Sequence, residues 1–360
     1  MIKKRNDAVL FVNSFRGSGI GDFGWKLYSE LKNLTPVEYA EITPSWNGFI
    51  VLWRHIITAN RRIIFNIGFT SYGKSMIRNF FGFFMLKFLT FMHRKSIVIL
   101  HDSVDTSNLE VSGYKSSKLM TTGGSIATKM LKRHTIVVFS KKFFNILKQK
   151  YSLNEVEYFP FPCEGSEITK CYNYSGSPLI VNLGYIAPYK GLDILPRIKT
   201  LLGTVKIIVI GKFHRTLSST TNGKKFTMEF QAKMADSNIP LLGYMDESDV
   251  IKLMKENKSI AILPYVSGYN SSYSAILFVT LGIPVVATDI DLFLESKNNG
   301  AGIVVVDRTP DAFASAINSI LNSPEIAEQL IEKDMKYCAQ YSFHSFCNFL
   351  LNVSKVSFDK

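Results

Sequence analysis

Residues 181–191, VNLGYIAPYKG, decide the fold when read together with SSYSAILFVTLGIPVVATD at residues 271–289. The first stretch predicts a buried strand that ends in a glycine-containing loop carrying Lys190. The second predicts a polar helix start, a helix, the turn Gly282–Pro284 and another buried strand. Because a lysine on a strand-end loop and a serine-rich helix N-terminus both suit phosphate groups, the two stretches predict a site for a nucleotide diphosphate.

The chain of 360 residues is too long for one ordinary core and predicts two α/β domains. Apolar runs recur at the spacing of strand–helix–strand units, and their continuous rather than alternating pattern favours parallel sheets covered on both faces. The predicted strands are Ala8–Asn13, Arg62–Ile67, Ser96–Leu100, Thr135–Phe139, Leu179–Leu183, Val205–Ile210, Ile260–Leu263, Val285–Ala287 and Gly302–Val306. Helices predicted between them include Gly24–Lys32, Lys141–Lys150, Glu247–Asn257 and Pro310–Asn322.

The net charge of +13 lies wholly in the first half of the chain. Residues 1–160 hold 23 Lys and Arg against 10 Asp and Glu, whereas residues 161–360 hold 19 of each. This asymmetry favours an anionic partner, namely membrane phospholipid, a polyprenyl-diphosphate substrate or nucleic acid; the alternative is a merely solvated basic face. The sequence contains no nucleic-acid-binding motif, so we expect no nucleic-acid partner.

The segment most like a membrane helix is Phe80–Met92, FFGFFMLKFLTFM. With roughly thirteen residues and Lys87 among them, it is too short to span a bilayer and predicts a buried helix or a helix on a membrane surface. The N-terminus lacks a signal-peptide pattern, and the four cysteines show no metal-binding spacing. We therefore expect a reduced, cytoplasmic protein, peripheral at the inner face of the cell membrane.

A glycine-rich loop, GSGIGD at residues 17–22, follows the first predicted strand and precedes a helix. Glycines allow the backbone to approach a ligand, and the free N–H groups of a helix start attract an anion, which makes Gly19, Ile20 and Gly21 candidate donor contacts. The spacing is GxGxG rather than GxGxxG, so it supports nicotinamide binding only weakly. The alternative is a tight turn without a ligand.

His101 and Asp102 follow the predicted strand Ser96–Leu100. Ligands of open parallel sheets bind outside the carboxyl ends of the strands, where this pair lies. His101 would hydrogen-bond a sugar hydroxyl or a diphosphate, and Asp102, with Asp22, is a candidate acid or base. The alternative is a histidine satisfied by the local backbone.

The phosphate-binding candidates of the second half lie in two segments. Lys190 suits a phosphate as a point charge, and one residue of the serine-rich helix start caps the helix while the others hold a second phosphate. The candidates are Gly184, Tyr189, Lys190, Ser271, Ser272 and Ser274, with Lys212, His214 and Arg215 as possible extra contacts. The alternative for the serines is capping alone.

Taken in order, these segments resemble the GT-B glycosyltransferases, specifically the large retaining family 4 group. GSGIGDF resembles the family's glycine-rich loop, VILHD its strand ending in His-Asp, LGYIAPYKGLDIL its GxIxPxKGxdxL motif and LGIPVVATD its GxPVVAsD strand. The closing YSFHSFCNFL is similar to the helix that crosses back to the first domain. The resemblance covers nearly the whole chain.

This resemblance implies two Rossmann-like domains facing each other across a cleft, with a C-terminal crossover helix. The first domain, residues 1–165 with 339–360, would bind the acceptor, and the second, residues 175–338, the nucleotide-diphospho-sugar. His101, Asp102 and Lys190 would be catalytic. The implied reaction retains anomeric configuration, uses no metal or other cofactor, and builds a surface polysaccharide or related glycan on a glycan or lipid-linked acceptor.

The chain departs from the family pattern at the paired acidic residues and at the basic partner of the lysine, since Tyr185 or Ala187 stands where Arg is expected. Tyr269 and Leu277 stand where members commonly carry paired Glu residues before the GxPVV strand. The departure keeps two alternatives open: a non-catalytic binding or scaffold subunit that kept the fold, and a nucleotide-sugar epimerase. The sugar, the base and the linkage have no readable code in the sequence.

Overall fold

The structure is a computed structural model of the chain. It describes residues 8–59, 61–72, 76–92, 96–102, 118–165, 170–214, 217–268 and 270–358. The described residues divide into two compact units. The first unit draws its described residues from 1–107, 116–161 and 343–360, and the second from 162–342.

The strands and helices of both units alternate along the chain. The strands are β1 (Val9–Asn13), β2 (Val37–Glu41), β3 (Arg62–Ile67), β4 (Ile97–Leu100), β5 (Thr135–Val138), β6 (Val156–Tyr158), β7 (Ser177–Leu183), β8 (Lys206–Ile210), β9 (Asn257–Leu263), β10 (Val285–Thr288) and β11 (Ile303–Val306). The helices are α1 (Gly19–Leu34), α2 (Trp46–Thr58), α3 (Met76–Phe91), α4 (Lys118–Lys129), α5 (Lys141–Gln149), α6 (Leu195–Leu202), α7 (Thr221–Asp236), α8 (Glu247–Glu256), α9 (Tyr273–Thr280), α10 (Asp291–Asn298), α11 (Pro310–Asn322), α12 (Pro324–Gln340) and α13 (Phe343–Phe358).

Each unit is built on one parallel sheet. The first sheet has the order β2-β1-β3-β4-β5-β6, and the second has the order β11-β10-β9-β7-β8. Strands β1, β4, β5 and β10 are buried along their whole length, because helices cover both faces of the sheet. The predicted α/β fold class with two Rossmann-like domains is confirmed.

The two edge strands of the first sheet are not predicted by the sequence pattern. β2, VEYAE, is half-buried at every position, and its two glutamates interrupt the apolar residues, so it lacks the continuous apolar run of the inner strands. β6 has only three residues. An edge strand pairs with a neighbouring strand on one side only and is less buried, so its sequence shows a weaker apolar pattern.

The last helix, α13, belongs to the first unit and packs against α1. Phe346 and Leu350 of α13 are fully buried, and the ring centroids of Phe23 and Phe343 are 5.2 Å apart. At the edge of this contact, His344 Nδ1 lies 2.7 Å from Glu30 Oε1. The chain therefore ends by completing the core of the unit in which it began.

Helix α3 contains the segment that most resembles a membrane helix. Phe83, Leu86 and Leu89 are buried, whereas the opposite face of the helix is exposed. Of the two alternatives for this segment, a buried helix therefore describes only one face of α3. Among the helices of the described residues, none combines the length and apolarity that a membrane span requires.

Candidate functional site

Both sheets have a point at which the strand order reverses, and polar side chains gather there. β7 lies between β8 and β9 in the second unit, and β1 lies between β2 and β3 in the first. Connections leave such a point in opposite directions, so the carboxyl ends of the two strands border a crevice in which ligands bind. In the second unit these ends lead to Gly184 and Tyr265, and in the first they carry Asn13 and Asn66.

Lys190 closes a short 3-10 turn, Pro188–Lys190, that follows β7, and its side chain is buried. Its Nζ lies 3.9 Å from the centroid of the Tyr265 ring and donates a hydrogen bond to the Tyr265 hydroxyl. An ammonium group can only donate, so the phenol oxygen is the acceptor of this bond, and the same hydroxyl shares a second hydrogen bond with Ser272 Oγ, 3.2 Å away. Within the described residues, Lys190 makes no ion pair.

Ser272 is the N-cap residue of α9, and its Oγ accepts a hydrogen bond from Ala275 N at 3.3 Å. One serine therefore does cap the helix, as expected, and Ser271 lies directly before it. The cap connects Lys190, through Tyr265, to the positive end of the helix dipole.

Gly184 brings a further serine to this cluster. Its φ is +122°, in the region that favours glycine, and a Cβ atom added there would lie 2.8 Å from Ser274 Oγ and 3.8 Å from Lys190 Nζ. The buried Ser274 hydroxyl and the lysine ammonium therefore border the same small space, which the absence of a side chain at Gly184 keeps open. An ammonium, hydroxyl groups and a helix N-terminus together suit an anionic group.

Tyr189 supports this arrangement from the side. Its carbonyl accepts a hydrogen bond from Val266 N at 2.9 Å, and its ring stands edge-on to Tyr265 with the centroids 6.3 Å apart. Lys190 Nζ lies 5.4 Å from the centroid of the Tyr189 ring. Two aromatic faces thus hold the lysine, an interaction that strengthens when water is excluded.

Arg308 fixes the loop that carries Lys190, although the sequence did not single it out. Its Nε donates to Pro264 O at 3.1 Å, and its NH2 group donates to Gly191 O at 3.2 Å and to the carboxylate of Asp193. Gly191 has φ +63° and has no room for a Cβ against Pro264 O. The planar guanidinium therefore ties the lysine loop to the end of β9.

The predicted extra phosphate contacts lie after β8. Lys212 Nζ lies 5.0 Å from the centroid of the Tyr244 ring, and the rings of His214 and Tyr185 are 5.4 Å apart. The backbone pairs this segment with the residues after β7, because Ile186 N donates to Lys212 O and His214 N to Ile186 O, both at 2.9 Å. Arg215 lies outside the described residues, as does Tyr269.

In the first unit, His101 and two asparagine side chains form a buried chain of hydrogen bonds. His101 Nε2 is 2.7 Å from Asn66 Oδ1, and Asn66 Nδ2 donates to Asn13 Oδ1 at 2.8 Å. Since the Asn66 oxygen can only accept, His101 is assigned as the Nε2–H tautomer. Burial lowers the pKa of His101 to about 3. His101 is therefore a neutral hydrogen-bonding group at physiological pH and not a cation for a phosphate.

The same amides hold the glycine-rich loop against the sheet. Asn13 Nδ2 donates to Gly21 O and Asn66 Nδ2 donates to Ile20 O, both at 2.8 Å. Gly24 has no room for a Cβ against the two asparagine side chains. Gly19, the first residue of α1, is exposed, and no atom of the described residues lies within 4 Å of where its Cβ would be. The loop is thus fixed on its inner side and open at Gly19.

The two carboxylates predicted in this unit have backbone partners. Burial raises the pKa of Asp102, whose Oδ1 accepts a hydrogen bond from Phe69 N at 2.5 Å. A Cβ on Gly68 would lie 2.6 Å from the same oxygen. Asp22 Oδ1 accepts from Gly17 N at 3.0 Å, which closes the loop before α1. Asp102 is thus a buried carboxyl group with a raised pKa, as acid and base residues of active sites often are. Asp22 holds the loop before α1 in its conformation.

Comparison with known proteins assigns the second unit to a family. Residues 168–337 match the family model described as "Glycosyl transferases group 1". These residues are similar to the group 1 glycosyltransferases. The predicted enzyme class, a glycosyltransferase, is confirmed. No curated protein sequence matches it.

Solved glycosyltransferase structures share the fold of this glycosyltransferase over nearly the whole chain. Alr3699/HepE of Anabaena, crystallised with UDP and glucose, is 12% identical with a TM-score of 0.69, over 98% of this chain and 100% of that one. Sucrose-phosphate synthase of Thermosynechococcus elongatus is 11% identical with a TM-score of 0.73, over 98% and 100%. A trehalose-6-phosphate synthase, studied for glycosyl transfer with retention, is 9% identical with a TM-score of 0.69, over 97% and 99%. At these identities the likeness establishes the GT-B fold alone.

Sequence reasoning found the lysine, the glycine and the serines of this glycosyltransferase, which the structure brings together in the second unit. It missed Tyr265 and Arg308, which connect those residues to the scaffold of the second unit, and Asn13 and Asn66, which hold the glycine-rich loop in the first. For Tyr265 the available signal was its place directly after the apolar strand Ile260–Leu263 and Pro264. In the described part of the chain, no group of three or more His, Cys, Asp or Glu side chains is arranged to hold a metal ion.

Proposed function

We propose that the cluster around Lys190 binds the diphosphate of a nucleotide-diphospho-sugar and that the enzyme transfers the sugar to a glycan acceptor. The observation that carries this proposal is the hydrogen-bonded path from Lys190 through Tyr265 to the N-cap Ser272. It directs an ammonium group and a helix N-terminus at one space beside Gly184. Such a space attracts two phosphate groups more strongly than a lone surface lysine does.

The cluster would act on the leaving group. When the bond between the anomeric carbon and the diphosphate oxygen breaks, negative charge grows on the departing diphosphate. Lys190, with the N–H groups and hydroxyls at the start of α9, is preorganised to stabilise that charge without reorganising. In this proposal the lysine and the helix dipole take the place of a metal ion.

Transfer would proceed with retention of configuration. The acceptor oxygen would bond to the anomeric carbon on the face that the diphosphate leaves, and the acceptor proton would pass to a departing phosphate oxygen. This front-face path needs no carboxylate nucleophile, which suits a chain without the paired Glu. The trehalose-6-phosphate synthase that shares the fold has been studied for transfer with retention. His101 and Asp102 stay predicted contacts of sugar and acceptor.

The donor and acceptor classes follow from separate observations. Crystals of the Anabaena protein contain UDP, glucose and UDP-glucose, so UDP-sugars are the first donors to test. The basic charge of residues 1–160 and the exposed aromatic face of α3 favour a lipid-linked acceptor at an anionic membrane surface. We therefore propose a peripheral enzyme of surface polysaccharide or glycan assembly.

The direct test is release of nucleoside diphosphate from UDP-sugars by the full chain, with and without polyprenyl-diphosphate-linked acceptors. We expect release that depends on Lys190 and a product whose anomeric configuration, measured by NMR, matches the donor. A product with inverted anomeric configuration would contradict retention but not glycosyl transfer. Donor binding without release, with every acceptor tried, would contradict transfer and favour the scaffold alternative.

A further inference from the structure

One face of α3 is a continuous row of exposed apolar side chains. Every exposed phenylalanine of the described residues lies on this helix, at positions three or four residues apart that fall on one side of it. The row consists of Ile77, Phe80, Phe81, Phe84, Phe88 and Phe91. Ile77 and Phe91, at its two ends, are each 65% exposed. Scattered apolar residues are normal on a protein surface, but a row of this length indicates a binding surface.

Helix α2 extends the row. Trp46 at its start is exposed, and its ring centroid lies 6.3 Å from that of Phe81. Ile50 and Val51, one turn further on, are exposed as well. The guanidinium of Arg78, 5.9 Å from the centroid of the Trp46 ring, also joins the two helices. We name the exposed apolar residues of α2 and α3 together the aromatic face.

The segment of the chain that contains α2 and α3 carries basic residues and no acidic residue. Between Glu41 and Asp102 the sequence has no Asp or Glu, although it has eight Lys and Arg. Among these, Arg54 on α2 and Lys87 on α3 are exposed beside the apolar residues. A second copy of the chain would bring the same positive charge against this face, so charge complementarity selects an anionic partner.

We propose that the aromatic face inserts into the headgroup region of an anionic phospholipid bilayer. An amphipathic helix that is too short to span a bilayer lies in the plane of the interface with its apolar side buried in the acyl boundary. Aromatic rings favour this depth, and lysine and arginine stems reach outward to the lipid phosphates. The proposal rests on the proposed function for the choice of a membrane-bound acceptor. It adds that α2 and α3 form the contact with the membrane.

Co-sedimentation of the full chain with vesicles tests this surface without requiring turnover. The vesicles contain phosphatidylcholine alone or phosphatidylcholine with phosphatidylglycerol, at low and at high salt. The apolar variant is Phe84→Ser with Phe88→Ser, and its control is Met228→Ser with Met335→Ser, which changes two exposed apolar residues of the second unit. The charge variant is Lys87→Glu, and its control is Lys333→Glu, an exposed lysine of α12.

We expect binding to the anionic vesicles that weakens with salt. Lys87→Glu lowers the partition coefficient by about fivefold or more, because each basic residue at such a surface contributes about that factor. The double serine variant lowers it at least as far, and both controls bind like wild type. UDP-sugar binding, measured by thermal stabilisation, is unchanged in every variant, so loss of donor binding is distinguishable from loss of lipid binding.

Three results would overturn the proposal. One is no binding to anionic vesicles at low salt. Another is equal binding by the Phe84→Ser, Phe88→Ser variant and its control. The third is a concentration-dependent dimer in sedimentation velocity that the double serine variant abolishes, since the face would then bind a second copy of the chain.

Discussion

The ammonium of Lys190 lies 3.9 Å from the centroid of the Tyr265 ring and donates a hydrogen bond to its hydroxyl, although the two residues are 75 positions apart in the chain. One residue follows β7 and the other follows β9, which are neighbours in the sheet. The pairing of these two strands therefore brings Lys190 beside Tyr265, whose hydroxyl accepts the hydrogen bond of the lysine.

Removing the Tyr265 hydroxyl should weaken donor binding. In Tyr265→Phe the lysine loses an acceptor and Ser272 loses a hydrogen-bond partner, so we expect the dissociation constant of the preferred nucleotide-sugar to rise by about tenfold. Titration calorimetry measures it. Tyr172→Phe is the matched control, since none of the described residues hydrogen-bonds that buried hydroxyl, and the donor affinity of this variant should equal that of wild type. Equal affinities in both variants would contradict the role of Tyr265.

A methyl group at Gly184 should close the proposed phosphate space. Gly184→Ala would place its Cβ 2.8 Å from Ser274 Oγ, and the backbone φ of +122° adds strain. We expect a stability loss of about 1 kcal/mol or more and no thermal response to donor. Gly203→Ala is the control, because it also has positive φ, at +64°, but no atom within 4 Å of the added Cβ. Gly203→Ala should lose stability but still be stabilised thermally by the donor. If Gly184→Ala is stabilised by the donor as well, the space beside Gly184 does not hold the phosphates.

Arg308 should matter through the loop it holds rather than through the ligand. Arg308→Lys keeps a positive charge but replaces the two guanidinium nitrogens that donate to Pro264 O and Gly191 O with one nitrogen on a shorter, non-planar head group, so we expect a free energy of unfolding lower by about 1–2 kcal/mol. Donor affinity should fall several-fold because Lys190 is less well positioned. Chemical denaturation and calorimetry measure the two effects. Unchanged values for both would show that the loop holds its conformation without the guanidinium.

The neutral state of His101 predicts an acid-sensitive stability. Burial lowers the pKa of His101 from 6.5 to about 3, so below pH 6.5 the unfolded chain binds a proton that the folded chain does not. The free energy of unfolding must then decrease as the pH is lowered from 6.5 toward 3, by at most about 1.4 kcal/mol per pH unit from this group. Above pH 6.5 the group contributes no pH dependence.

His101→Gln tests this link, because the Gln amide can still donate toward Asn66 Oδ1 but does not titrate. Denaturation between pH 7 and pH 5 should show a shallower loss of stability in the variant than in wild type. His134, whose pKa burial also lowers, stays in both proteins and contributes equally. Parallel slopes would show that His101 is not the neutral, buried group described above.

The sequence predicts much of this fold and part of the site, for physical reasons. Inner strands such as β1 and β10 bury both faces and give continuous apolar runs, whereas the half-buried β2 does not. Gly184 and Lys190 follow a strand and Ser272 begins a helix, so local pattern marks them. Tyr265 and Arg308 gain their roles from contacts with the Lys190 loop, 75 and 117 residues away along the chain, which no local pattern encodes.

The central claim, a donor site built around Lys190, is tested most directly by thermal stabilisation of the full chain with UDP-, GDP-, ADP- and TDP-sugars. A ligand that binds only the folded state must raise the melting temperature. The variant is Lys190→Met, and the control is Lys258→Met, whose Nζ donates to Leu321 O within the same unit. The account predicts stabilisation by one nucleotide class in wild type and in the control, lost in Lys190→Met. Equal stabilisation of Lys190→Met, or none of wild type by any donor, would contradict it.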